Sequence, residues 1–227
     1  MGSWSARQLA TVGAVAAAVL FVVGFAILGS PPKFDADALK IVSYFHGHHK
    51  KVLVSTVLCE IAVAVMVGVI AQLAVLLRDA AQRAHAAVVG IAGAASLGTL
   101  GVGLALYGGL AQLATFGQEA SAVAPLYRLI QFIQIAWFWT TLVMVLAVAH
   151  AAWNGAFARW VAAANGVIGV LLVLGGISVK GDGAFAAGTG AFCTIGAIAF
   201  LVWVLHLGAL FWRRTQEAPA AAMSPTG

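Results

Sequence analysis

A chain of 227 residues that is 63% hydrophobic and only 8% charged is not a soluble domain, since those carry about a quarter charged residues. With mean hydropathy +1.02, its natural solvent is a bilayer, which a helix of ~20 apolar residues crosses. The formal net charge of +5 does not indicate nucleic acid, because the basic residues are spread over every loop and form no patch.

The first apolar segment is Gln8–Gly29. Its apolar stretch, Leu9 to Leu28, is longer than a signal-peptide core and no A-x-A site follows, so it reads as a retained span. Ala6 stands where an N-myristoylation motif needs Ser or Thr. The loop PPKFDADALKIVSYFHG follows. Asp35 suits an N-cap, Phe34 and Leu39 have the spacing of a hydrophobic staple, and Phe34, Ala38, Ile41 and Phe45 repeat at helical spacing. A short amphipathic helix is expected here, lying at the interface or capping the bundle mouth and ending at Gly47.

The stretch YFHGHHKK then places His46, His48 and His49 close together. Zinc needs three or four converging ligands, and no cysteine or acid lies within the stretch to complete a set. No metal site is assigned; Lys50 and Lys51 read as headgroup anchors at the start of the second span, Lys51–Leu77. Inside that span lies its one acidic residue, Glu60, about nine residues or ~13 Å from the rim. An ionisable group at such depth is a functional-site hypothesis by default. Thr56, Glu60, Ala64, Gly68 and Gln72 form an i+4 stripe of small or polar residues, expected to face the bundle.

The third segment, Ala86–Phe116, carries Gly90, Ala94 and Gly98, then Gly101, Ala105 and Gly109, at four-residue spacing that lets helices approach closely. In the fourth, Leu129–Ala152, Gln131, Gln134 and Thr141 share a face, and Gln134 reaches the depth of Glu60. The fifth and sixth segments are Phe157–Val179 and Ala184–Trp212; the sixth places Thr189, Cys193 and Thr194 in the same half. Cys59 and Cys193, the two cysteines, lie inside apolar segments and form no CxxC pair. The candidate ligand site is therefore Glu60 with Thr56, Gln131, Gln134 and Cys193. The alternative is structural: a protonated glutamate hydrogen-bonded to glutamine as interhelical glue.

His85, His150 and His206 lie toward the other rim. His150 and His206, on different helices, give a second hypothesis, a haem- or quinone-linked redox subunit. No G-x-S-x-G, P-loop or H-E-x-x-H occurs, and the acids are too few for a hydrolytic pair. No enzyme activity and no cofactor are expected.

Six crossings put both termini on one side, here side A. Side A holds Arg7, Arg78, Arg83, Arg159, Arg213 and Arg214; side B holds Lys33, Lys40, Lys50, Lys51, Arg128 and Lys180. The tie leaves the positive-inside rule undecided. Side A is expected to be cytoplasmic, because its arginines crowd short loops. Trp4, Trp153, Trp160 and Trp212 on side A, with Tyr44 and Tyr127 on side B, mark the interfaces.

A first span, a Pro-containing polar loop, Tyr44–Phe45, a basic step at His49–Lys50, and a second span closing in Leu77–Arg78 resemble a group of bacterial multipass proteins. These are catalogued as a membrane domain of unknown function, with arginine usual where this chain has Lys50. The resemblance implies a small helical bundle in the cytoplasmic membrane and carries over no residue role.

The expectation is an all-α integral membrane six-helix bundle with a short amphipathic interfacial helix between helices 1 and 2. Residues 1–212 form a single transmembrane helical domain and 213–227 a disordered tail. The cell membrane is its location, lipids are its partners, and nucleic acid is not. Gly101, Ala105 and Gly109 are a candidate contact with another subunit, which would make the protein a structural or partner-binding subunit.

Overall fold

The computed structural model describes residues 5–116, 120–180 and 182–222. It is all-α. The helices are α1 (Ala6–Leu28), α2 (Ala38–Asp79), α3 (Arg83–Thr115), α4 (Ala120–Trp153), α5 (Arg159–Gly176) and α6 (Ala191–Ala222), with a short 3-10 turn at Gly183–Phe185 before the last. All six are long and apolar enough to cross a membrane. The chain is a multipass membrane protein, and helices are the expected solution because a bilayer offers the backbone no hydrogen bonds.

Each helix packs on the next, and α6 closes back on α1, so the six form a ring with α2 and α4 also touching across it. The ring is sealed at side A where Arg7 donates to the Arg214 carbonyl at 3.2 Å. Residue size is distributed as a bilayer requires. On α1, Ala10, Ala14, Ala17 and Ala18 are buried, while Leu9, Val12, Val15, Val19 and Val22 face outward. Small side chains let helices touch, and lipid, unlike water, solvates the large apolar ones.

The sixth span begins at Ala191 and not at the expected Ala184, so Thr189 lies in the turn before it, and three further boundaries differ from expectation. The interfacial helix and the second span are one continuous helix, α2, and its N-cap is Asp37, whose side chain accepts from the Leu39 backbone at 3.0 Å, in place of Asp35. Gly47 does not end it. A glycine inside a helix costs only about 1 kcal/mol, whereas Ile41, Phe45 and Val52, on both sides of Gly47, are buried in one cluster with Tyr107, Leu110, Tyr127 and Ile130. Continuity keeps all three on one face. At 1.5 Å per residue α2 is roughly 63 Å long, so with α3 and the early start of α4 it builds a three-helix extension at side B. That early start explains the second difference: Val123, Ala124 and Tyr127 precede the expected Leu129 and are buried in the same cluster.

Third, α6 runs past Trp212 into the expected tail, to Ala222. Its first turns there are anchored. Arg213 stacks 4.8 Å from the Trp160 ring, and Arg214 donates to the Ala156 carbonyl at 2.7 Å while lying 5.5 Å from the Phe157 ring. Residues 223–227 lie outside the described residues.

Candidate ligand-binding cavity

Glycine spacing fixes the register. A side chain at Gly93 would meet Ile70, one at Gly101 would meet Val63, and one at Gly108 would meet Thr56. These antiparallel pairs set Glu60 level with Leu104 and Thr56 one turn nearer side B. Across α3 and α4, Ser96 and Thr141 hydroxyls bond at 2.7 Å, and Gly103 opposes Ile133.

In the side B half of the ring these helices enclose a cavity of about 450 Å³. Val22, Phe25 and Leu28 of α1, Ser55 and Thr56 of α2, Thr99 to Tyr107 of α3, Ile130 to Trp137 of α4, and Cys193 to Leu201 of α6 supply its wall. Gly29, Pro31 and Gly188, from the two side B loops, complete it. Such a volume suits a small organic ligand, and a mostly apolar wall with a few polar groups is typical of ligand pockets.

Of the residues singled out in the sequence, Thr56, Gln131, Gln134, Cys193 and Thr194 all line this cavity. Glu60 does not line it. It is half-buried, and Val57, Ile61 and Ala64 around it face outward. The i+4 stripe explains the difference. Four residues advance a helix by 400°, so each step turns ~40° and the stripe from Thr56 to Gln72 turns by about 160°. Thr56 is buried, whereas Ala64 and Gly68 are exposed. The depth match between Glu60 and Gln134 is real, but the two face different surroundings.

Thr141 shares the α4 face with the glutamines but lies beyond the cavity, bonded to Ser96 and to the Trp137 carbonyl at 2.8 Å. Trp137 and Tyr107 are the wall residues that sequence reasoning passed over. The Trp137 Nε1 is buried without a hydrogen-bond partner. Tyr107 neighbours Tyr127, ring centroids 6.2 Å apart. The Tyr127 hydroxyl is donated to the Pro32 carbonyl, which leaves its oxygen as an acceptor beside the Tyr107 hydroxyl. A signal for Trp137 existed: it stands one turn beyond Gln134, on the Gln131–Gln134 stripe.

Gln131 owes its place to Gly188. That glycine has φ +69°, and a Cβ there would fall 1.3 Å from the Gln131 Oε1. Only a residue without a side chain permits both the left-handed backbone and the amide. Thr99 and Thr194 hydroxyls donate to the Ala95 and Gly190 carbonyls, at 2.8 and 3.2 Å.

The histidines are distributed elsewhere. His46, His48 and His49 each face a backbone carbonyl, of Ala114, Tyr44 and His46 respectively. No group of three or more His, Cys, Asp or Glu able to hold a metal occurs among the described residues. His150 does not meet His206: its Nδ1 lies 2.7 Å from the His85 Nε2, whereas His206 packs edge-on against Trp160 and lies 3.4 Å from Asn165. The two histidines of the redox hypothesis are thus engaged in separate contacts, and neither lines the cavity.

No family model, curated protein or solved structure matches the chain.

Proposed function

We propose that this protein binds or moves a small lipid-like ligand in the side B cavity, without enzymatic chemistry, with both termini on the cytoplasmic face. The observation that carries the reading is the cavity wall itself. It brings side chains of five helices around about 450 Å³, and a buried tryptophan N–H in that wall has no partner in the protein. Such a donor costs roughly 1–3 kcal/mol if left unpaired, a penalty that an acceptor atom on a ligand relieves.

Mass spectrometry of protein extracted under mild conditions tests this. A small organic molecule should co-purify with the wild type and be lost on Ala197→Phe, which places an aromatic ring into the wall, while the thermal transition is retained. Equal occupancy in both proteins would sink the reading.

A second reading, a partner-binding subunit, draws on the outer face of α3. Ala105 and Gly109 are exposed there, and nothing lies within 4 Å of where a side chain at Gly98 or Gly109 would sit. Gly109→Leu should then disrupt an oligomer and spare the monomer, as read by light scattering in detergent.

A further inference from the structure

The cavity wall also specifies what kind of molecule fits and from where it arrives. We infer that the ligand is an uncharged amphiphile with acceptor oxygens at its head, entering sideways from the bilayer between α1 and α6. The inference rests on the reading of the cavity as a ligand site.

Charge comes first. Among the described residues, no side chain lining the cavity is ionic at neutral pH. A carboxylate or phosphate brought here would lose its water without gaining a counter-charge, which is prohibitive in a low-dielectric setting. The head is therefore neutral. Its polarity follows from the groups left over. Trp137 Nε1 can only donate and is buried without a partner, and the Gln134 amide brings two further N–H donors to the wall. A carbonyl, ester or ether oxygen answers those donors. The hydroxyls of Ser55, Thr56, Thr99 and Thr194 and the Cys193 thiol also line the wall, and the remaining side chains are aliphatic or aromatic, suited to a hydrocarbon body.

The route follows from which sides are closed. At side B the roof formed by Gly29 and Pro31 belongs to a loop that is tied down along its length. Tyr44 donates to the Leu28 carbonyl at 2.9 Å and Tyr127 to that of Pro32. Arg128 donates to the Phe34 and Ala36 carbonyls at 3.4 and 3.3 Å, and Phe34 packs edge-on against Phe132. The second loop is pinned by reciprocal backbone bonds, Lys180 to the Phe185 carbonyl and Ala187 to the Lys180 carbonyl, each 3.0 Å. Between α1 and α6 the contact is close toward side A, where a side chain at Gly208 would touch Ala14 and Phe21 meets Phe200 edge-on. Further toward side B, Val22, Phe25 and Ile198 line the cavity and are 52%, 37% and 55% exposed. Residues that are at once wall and exposed mark a lateral opening into the apolar layer, where an amphiphile is already concentrated.

The test uses the full chain in nanodiscs and two probes that share one brominated acyl chain: dibromostearoyl monoglyceride, with a neutral ester head, and dibromostearate, ionised at pH 8. Bromine quenches tryptophan on contact, and Trp137→Phe identifies the part of the signal that arises in the cavity. The expected result is binding of the monoglyceride at least tenfold tighter than that of the ionised acid. Val22→Phe with Ile198→Phe should slow uptake at least tenfold. Ile198→Ala, which only removes volume at the surface, should speed it. Equal or tighter binding of the acid overturns the inference, and so do rates unmoved by both sets of substitutions. If neither probe binds but another molecule co-purifies and is lost on Ala197→Phe, the ligand class is wrong and the cavity reading stands. If nothing binds or co-purifies at all, both fall.

Discussion

The two ends of the ring treat buried polar groups in opposite ways. Toward side A the large polar groups of the described interior are answered: the Trp203 indole donates to Asn165 Oδ1 at 2.9 Å, and the Asn165 amide donates to the Val161 carbonyl at 2.8 Å. Toward side B the wall keeps a donor unanswered at Trp137, beside about 450 Å³ of space. A tryptophan in a helical bundle is thus structural or receptive according to whether an acceptor from a neighbouring helix reaches its nitrogen. Trp139 supports the point, since its indole, two residues from Trp137, donates to the Gly176 carbonyl at 3.1 Å.

That contrast can be broken most severely where packing is tightest. At Gly93 a bare Cβ would already lie 2.5 Å from Ile70 and 3.2 Å from the Met144 sulfur. Gly93→Val should cost ~3 kcal/mol or prevent folding, seen as a large fall in the thermal transition in detergent. Asn165→Leu comes next. It strands the Trp203 N–H and should cost about 1–3 kcal/mol. Adding Trp203→Phe to that variant should recover part of the loss, and no recovery would mean that the hydrogen bond is not what Asn165 contributes.

The paired tryptophans give a sharper and smaller test. Trp203→Phe alone should destabilise by about 1 kcal/mol, leaving Asn165 unsatisfied. Trp137→Phe gives up ring packing as Trp203→Phe does but strands no partner, so it should destabilise less than Trp203→Phe while ligand affinity falls. Equal melting shifts in the two variants would erase the distinction between the ends. Smallest of all is Glu60→Gln. Because Glu60 stands outside the cavity wall, occupancy by the co-purifying ligand should be unchanged; a large loss would return Glu60 to the site.

Much of the bundle was legible in residue order. Six apolar runs separated by charge, Pro and Gly gave six membrane helices, because in lipid no other open structure satisfies the backbone. The polar candidates on α4 and α6 were legible too: Gln131 and Gln134 stand one turn apart near the rim, so one helix face carries both to the cavity. The histidine stretch was harder. The glycine at position 47 reads as a stop in isolation, and only the burial of Phe45 and Val52 against α3 and α4 shows why the helix continues.

The sequence alone determined the solvent of this protein, the number of its helices, and the depth at which each polar residue lies, since all three depend only on hydropathy and a fixed rise per residue. Tertiary structure decided which way those residues face. A stripe at four-residue spacing turns steadily around its helix, so Thr56 enters the cavity and Glu60, one turn later at the depth of Gln134, stays out of its wall. Tertiary structure likewise decided which indole meets an acceptor, because that depends on the close approach of a second helix: Asn165 reaches Trp203, and nothing in the protein reaches Trp137.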